Sequence, residues 1–386
     1  MKTSVPFAPL AAFYFCYFAF FGLFSPFWGL YLESLSFSPW QISLLMSLST
    51  LARIAAPGLW GWLADHMRRR RPIVIGTSIV SAAAFAMVGL SPVFWWMFAF
   101  LALSHFFWAA ALPLVEASSA HLTRASPGRY SRIRLWGSIG FVVTSVAGGY
   151  LFDWLSIAIM PWVVTATLVL IVFAALAVPD VVPERAAEAS LPIMATLRQP
   201  VVLALFGCCF LMAYAHGPYY VFYSIALKNA GYARDSIGWL WAIGVMAEVA
   251  AFWFMPRLMR SASAERLMLV SLLAAVVRFA LLALALQTAA LAVLAQLLHG
   301  LTFGVHHAAA VALLHRYFAP AHQARAQGFY IIAGFGLGGS SGGLISGLLW
   351  PMGGALAVFG MSTLAALGGV ILALLFLRSP KQAAAV

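Results

Sequence analysis

The stretch "QISLLMSLSTLARIAA" (41–56) can be laid without a gap on "SIGWLWAIGVMAEVAA" (236–251), and five of the sixteen positions are identical at this shift of 195. Either segment alone is an apolar helical pattern. Together they point to a chain built twice. Other matches fall at nearly the same shift. At 194, His105 meets His299, His121 meets His315, Gly140 and Phe141 meet Gly334 and Phe335, and Gly148 and Gly149 meet Gly342 and Gly343. At 192, Cys16, Phe18, Pro26 and Tyr31 meet Cys208, Phe210, Pro218 and Tyr223.

The surroundings of these segments set the class of protein. Hydrophobic residues make up 64% of the 386-residue chain and charged residues only 8%, against about 25% charged in a soluble domain. Such a chain has too little polar surface to meet water and reads as a polytopic membrane protein. Twelve apolar stretches are long enough to span a bilayer, near 8–32, 40–64, 72–91, 93–119, 132–152, 155–178, 200–227, 236–256, 264–286, 289–315, 325–349 and 353–377. The first follows Lys2 but is too long for a signal-peptide core and lacks an A-x-A cleavage site, so it reads as span 1. The repeat then aligns span 1 with 7, 2 with 8, 4 with 10 and 5 with 11. Parallel six-helix repeats are the plan of secondary transporters. The one long polar segment, 179–199, divides the two sets of six. Cys16, Cys208 and Cys209 all lie in apolar runs and read as packing residues.

Basic residues set the orientation. Eighteen of the 22 Lys and Arg fall at the termini or in alternate loops: Lys2, Arg68 to Arg71, Arg124, Arg129, Arg132, Arg134, Arg185, Arg198, Arg257, Arg260, Arg266, Arg316, Arg325, Arg378 and Lys381. The opposite loops hold two, Lys228 and Arg234, and Arg53 and Arg278 lie inside spans. Both termini and the middle segment are therefore expected in the cytoplasm. The net charge of +12 reads as a topology signal and implies no nucleic-acid partner.

The end of span 2, "GWLADHMRRRR" (61–71), resembles the loop 2–3 motif of the major facilitator superfamily. Gly61, Asp65 and the basic run are in place, while His66 and Arg69 stand where a basic residue and a Gly are usual. Three further stretches are similar to the 3-phenylpropionate permease branch: "RYSRIRLWGSIGF" (129–141), "AHGPYYVFYSIAL" (215–227) and "LLHGLTFGVHHAAAVALLHRYF" (297–318). The resemblance implies an all-α membrane protein of the major facilitator fold. Its two pseudo-symmetric six-helix bundles would be residues 1–178 and 200–386, joined by a cytoplasmic linker, 179–199. Helices 1, 4, 7 and 10 would line the cavity, and one face of helix 2 would border it. Two departures bear on function. Many antiporters of the superfamily carry Gly-Pro four residues before a Gly-Gly in helix 5, where this chain has Thr144 and Ser145 before Gly148 and Gly149. Drug exporters usually carry an Arg in helix 4 near the place of His105. The second-half stretch "MPRLMRSASAERL" (255–267) also lacks the Asp of the loop motif.

The polar residues inside the spans are the candidate site. Arg53 is the only ionised side chain from Pro39 to Ala64, and an Arg at a helix centre costs about 2.5–3.5 kcal/mol on insertion scales. Its repeat counterpart is Glu248. Arg53 is suited to a substrate carboxylate by its planar fork; the competing role is a permanent structural contact. No acidic residue of the first half lies at its depth, since Glu33 and Asp153 are near outer ends and Asp65 and Glu116 near inner ones. Glu248 is placed to take and release a proton or to pair with Arg278, and both roles are open. His105, His216 and His299 lie ten to twelve residues from the outer ends of spans 4, 7 and 10, near the midplane at 1.5 Å per residue. They are candidates for substrate binding, and His299 also for proton coupling; the competing role is a core histidine. His216, Tyr219, Tyr220 and Tyr223 share one face of span 7, as Tyr14, Tyr17, Phe18 and Phe21 do in span 1. Tyr17, Tyr219, Tyr220 and Trp241 join the substrate-binding candidates, because aromatic walls with polar tips suit a flat, partly apolar ligand. Pro26 and Pro218 are expected to bend spans 1 and 7. Glu116, with Arg132 or Arg134 and the Asp65–Arg69 loop, is expected to form an inner gate.

Other motifs carry nothing. "GFGLGG" (334–339) fits a dinucleotide-binding pattern, but no strand precedes it, so it reads as small residues for close helix contact. No P-loop is present, and His306 and His307 have no clustered carboxylate or Cys for a metal. The expectation is a monomeric, proton-coupled symporter of a bacterial inner membrane, without cofactor or metal. It would import a small aromatic monocarboxylate such as a phenylpropionate-like acid by alternating access. The alternatives are a nucleoside–proton symporter or a drug-efflux antiporter of the same fold. A membrane enzyme is disfavoured by the absence of a nucleophile–base pair, and a non-transporting receptor by the absence of a large soluble domain.

Overall fold

The computed structural model describes residues 6–124, 126–181 and 193–377, and these are almost wholly helical. Lys2, Arg185, Arg378, Lys381 and most of the expected linker lie outside the described residues. The helices in chain order are α1 (Phe7–Ser34), α2 (Pro39–Met67), α3 (Arg71–Val88), α4 (Phe94–Thr123), α5 (Pro127–Trp154) and α6 (Met160–Ala177). They continue with α7 (Pro200–Asn229), α8 (Arg234–Ser261), α9 (Ala264–Leu284) and α10 (Ala289–Tyr317). A final helical stretch, Arg325–Phe376, has 52 residues, roughly 78 Å at 1.5 Å per residue and far more than one bilayer crossing. It breaks at Gly353 and Gly354, where Gly354 has φ +53 and ψ −134, a conformation open only to glycine. The break yields α11 (325–352) and α12 (355–376). Ten of the continuous helices are long and apolar enough to cross a membrane, and α2 is an eleventh once its 42° bend between Ala56 and Gly58 is allowed. Position 57, at that bend, is a proline, which has no amide hydrogen to donate within a helix. With α11 and α12 separated, the expected twelve spans are all present.

Local sequence explains the ends. Ser38 caps α2 by accepting from the Gln41 amide, while the Gln41 side chain accepts from the Ser38 amide, a reciprocal box that starts the helix with Pro39 at its first position. Arg68 ends α2 in the left-handed region, at φ 53. Ser263 caps α9 through the Arg266 amide.

The chain divides into two compact units: residues 1–185 with 233–242, and 186–232 with 243–386. In the first unit α1 lies against α5 and α6, and α4 lies against α2 and α3. The α1–α5 approach depends on glycine. A Cβ on Gly22 would sit 2.4 Å from the Phe141 carbonyl oxygen, and one on Gly140 2.3 Å from that of Phe15. Thr144 donates to the Ala19 carbonyl of α1 at 2.9 Å. Ser145 donates to the Gly238 carbonyl of α8 at 3.1 Å. The two hydroxyls that replace the antiporter Gly-Pro pair are thus interhelical ties. In the second unit α7 packs on α11 in the same manner as α1 on α5. A Cβ on Gly342 would lie 2.0 Å from the Tyr214 carbonyl oxygen, and one on Gly217 2.3 Å from the Gly343 amide. Gly338 of "GFGLGG" approaches the Phe210 carbonyl likewise, as expected for small residues at a helix contact. Two stretches are π-helical, Gly300–Val305 within α10 and Ile332–Gly339 within α11. Such turns are rare and concentrate at functional sites.

At one end of the first unit the α2–α3 loop is held by a residue outside the expected gate. Asp180 accepts from Arg69 Nε at 3.0 Å and from the Arg71 amide at 3.2 Å, and Arg71 also donates to the Leu176 carbonyl. Burial would raise the Asp180 carboxyl, but the Arg71 amide and Arg69 guanidinium outweigh it and hold it below the usual carboxylate range. The pair therefore stabilises above the unfolded carboxyl value of about 3.9, and the gain is lost as pH falls through the lower folded value. Because the pair is largely solvated, Asp180→Asn is expected to reduce stability by less than about 1 kcal/mol at pH 7. Thermal melts of the two proteins should converge as the pH falls below the unfolded carboxyl value and through the lower folded one.

Candidate functional site

In the first unit, α1 places Tyr14, Tyr17, Phe18 and Phe21 on one face, and two arginines from other helices lie over it. The Arg53 guanidinium of α2 stands 5.2 Å from the Phe21 ring centre and 5.8 Å from that of Trp108 on α4. Trp108 in turn stacks on Tyr17 at 4.6 Å with the rings 11° apart. Arg53 is half-buried, and among the described residues of its unit no carboxylate forms an ion pair with it. Cation–π attraction, worth about 0.5–2 kcal/mol, offsets only part of the insertion cost and leaves the hydrogen-bonding fork available.

Further along the same face, Arg134 of α5 lies 4.3 Å over Phe18 and 5.5 Å from Tyr14. Its Nε donates to Glu116 at 3.3 Å. Gly137 makes room, since a Cβ there would meet Phe18 at 2.7 Å and Arg134 at 3.0 Å. Of the expected gate, Glu116 and Arg134 are thus joined. Arg132 donates instead to the Gly128 carbonyl at 3.4 Å, Asp65 is exposed, and Arg69 is bound to Asp180.

His105 is placed differently from Arg53. It is fully buried, its Nδ1–H donates to the Leu101 carbonyl at 2.9 Å, and its ring lies 5.0 Å from Phe24 and 6.0 Å from Phe20. Its Nε2 is buried with no partner, and its ring also lies 6.1 Å from Trp108. Trp241 lies in the part of α8 that belongs to the first unit, with its ring 6.4 Å from Phe141.

In the second unit a cluster forms around a fully buried arginine, Arg278 of α9. Its Nε donates to the Ala295 carbonyl at 3.0 Å. Its Nη1 donates to His216 Nε2 at 3.0 Å, and Thr302 lies 3.4 Å from the same nitrogen. His216 can accept there because its Nδ1–H donates to the Met212 carbonyl at 2.8 Å. The guanidinium covers the Tyr219 ring at 4.3 Å. Tyr219 stacks beside His299 at 5.8 Å and donates to Gln296 Oε1 at 3.0 Å. Tyr220 stands beside them, 5.4 Å from Tyr219. Four of the expected residues, His216, Tyr219, Tyr220 and His299, are therefore brought together. The Arg278–Glu248 pair is not formed: among the described residues no carboxylate is bonded to Arg278. Glu248 is half-buried on α8, and its Cγ would be 3.6 Å from a Cβ on Gly304 in the π-helical turn of α10.

Trp108, Gln296 and Thr302 escaped the sequence reading, though spacing carried a signal for each. Trp108 is three residues after His105. Gln296 and Thr302 flank His299 by three, so 296, 299 and 302 share a helical face.

A family model described as "MFS_1 like family" matches residues 7–361. The chain is 30% identical over 310 residues to a protein of Escherichia coli (strain K12) designated "Probable 3-phenylpropionic acid transporter", covering 78% of this chain and 80% of that one. Its fold is similar to the crystal structure of a mutant of the nucleoside transporter NupG, with a TM-score of 0.83 at 20% identity, over 96% of this chain and 98% of that one. It is also similar to a bacterial homologue of the human lysosomal transporter Spinster in an inward-facing, unoccupied conformation. There the TM-score is 0.68 at 14% identity, over 98% and 100% of the two chains. With its twelve apolar helices and the matched family model, the chain belongs to the MFS_1 like family of the major facilitator superfamily, whose members are membrane transporters and not enzymes.

Proposed function

We propose that this transporter imports a small aromatic monocarboxylate together with protons, by alternating access of two six-helix bundles, 1–178 and 200–386. It would act as a monomer in a bacterial inner membrane with both termini cytoplasmic. The observation that carries the substrate class is Arg53, a half-buried guanidinium laid against Phe21 and Trp108 with no carboxylate partner among the described residues of its unit. A flat acid satisfies both features, since its carboxylate takes the fork and its ring joins the Tyr17–Trp108 stack. The name of the E. coli relative favours a phenylpropionate-like acid. The rival is nucleoside–proton symport, favoured by the likeness in fold to NupG. A nucleoside carries no charge to meet Arg53.

Uptake into proteoliposomes separates these readings. With an inward proton gradient, labelled 3-phenylpropionate should accumulate, a protonophore should abolish the accumulation, and uridine should not compete. Accumulation of uridine instead would overturn the substrate class. Glu248 is assigned the coupling proton, with His299 as its nearest rival. Glu248→Gln should then lose gradient-driven accumulation and keep counterflow exchange. Gradient-driven uptake unchanged in Glu248→Gln moves the proton site elsewhere.

A further inference from the structure

We propose that Arg278 is the centre of a second anion site, contained in the C-terminal unit, that takes the carboxylate of an aromatic acid. It goes beyond the role given to Arg53 and stands whether or not Arg53 binds substrate. A buried guanidinium without a counter-ion is costly unless its surroundings supply acceptors. Here they supply too few. Nε and Nη1 are used by the Ala295 carbonyl, His216 and Thr302, while Nη2 is buried with no acceptor.

The neighbours repeat the deficit. Gln296 is fully buried, and because its Oε1 accepts from Tyr219, its amide nitrogen is the free end, buried with no acceptor. His299 Nδ1 is likewise buried without a partner, and it joins the donors in the tautomer that carries its proton there. All three groups bear on one side chain, Tyr219: Arg278 over its ring, His299 stacked beside it, Gln296 on its hydroxyl. The cluster therefore holds a fixed positive charge and an excess of donors. The complement is a group that only accepts and carries negative charge. A carboxylate has that chemistry and fits the guanidinium fork. Rings on several sides, Tyr219 and Phe279 at Arg278 and Phe303 at His299, favour an aryl acid over a small one. Arg278, Gln296, His299 and Tyr219 are all buried. The π-helical turn Gly300–Val305, which carries Thr302, is the irregular backbone beside it.

The test uses the full chain in lipid nanodiscs, with Arg53→Gln as background so that only the second site is read. Binding of 3-phenylpropionate, acetate and 3-phenylpropionamide is measured by calorimetry. The proposal expects 3-phenylpropionate to bind at least about tenfold more tightly than the amide, the ratio of one charge-assisted contact, with acetate weaker than 3-phenylpropionate. Arg278→Gln should bring acid and amide within about twofold of each other. Should that variant fail to fold, His299→Phe keeps the ring against Tyr219 and removes the nitrogen; it should weaken acid binding several-fold and leave the amide unchanged. Equal binding of acid and amide in the Arg53→Gln background, no binding of either, or full discrimination surviving His299→Phe and Arg278→Gln overturns the site. Wild-type uptake by Arg53→Gln alone would instead sink the role of Arg53 and leave this site standing.

Discussion

Arg53→Gln is expected to lower uptake of 3-phenylpropionate by at least about thirtyfold, the loss of roughly 2 kcal/mol or more when a charge-assisted pair to a carboxylate is removed. The fold-stabilising contacts of Arg53 are faces of Phe21 and Trp108, which a glutamine stem can still cover in part. The variant should therefore fold, and its loss should appear in binding. Arg53→Lys should fall between the two, because an ammonium keeps the charge and the ring contacts but cannot meet both carboxylate oxygens in one plane. The neutral amide of the same acid provides the control. Its weak binding should be the same in wild type, Lys and Gln variants. Normal uptake by Arg53→Gln, or an equal loss of acid and amide binding, would show that Arg53 only holds the helices.

How much of this was legible in the sequence depended on the kind of information each feature needs. Span number came from composition, because a bilayer demands about 20 apolar residues per crossing and the chain provides them. The last two spans were separable because Gly353 and Gly354 interrupt an otherwise continuous run. The arginine in "LARIAAP" was visible as a cost, and its setting against aromatic rings agrees with a charge that needs compensation. Partner choice was not legible. Depth alone leaves a pair between Arg278 and Glu248 open beside the proton-carrier role of Glu248, whereas in the structure Arg278 turns to His216, Thr302 and the Ala295 carbonyl. Depth follows from counting residues, whereas azimuth depends on packing. His105 matches His299 in depth, and its surroundings, Phe20, Phe24 and Trp108, are likewise set by packing that residue counting does not give. Asp180 joined the α2–α3 loop because the chain returns there after α6, a tertiary fact no local motif records.

The α7–α11 contact predicts the largest effect on folding. Gly342→Ala adds a single methyl group, but its carbon would sit 2.0 Å from the Tyr214 carbonyl oxygen and 2.8 Å from the carbonyl carbon. Backbone cannot rotate away as a side chain can, so the helices must separate. Separation would also break the neighbouring approaches of Gly217 to Gly343 and of Gly338 to Phe210, which share the seam. In a membrane, helix association rests on this kind of close backbone packing, because lipid supplies no hydrophobic drive between helices. The cost is expected to reach about 3 kcal/mol, the upper end for overpacking, and to strip most folded protein from the membrane. Gly360→Ala is the matched control. It lies in α12 with nothing within 4 Å of the added carbon, and alanine is the better helix former by about 1 kcal/mol. Its yield and melting temperature should equal or exceed those of the wild type. If Gly342→Ala instead melts together with Gly360→Ala, α7 and α11 are not held at glycine distance. Gly140→Ala poses the same question for α1 and α5, where the added carbon would meet the Phe15 carbonyl oxygen at 2.3 Å. The repeat in the sequence predicts a loss in that unit of the same order, because both halves place glycine at the seam between their first and fifth helices.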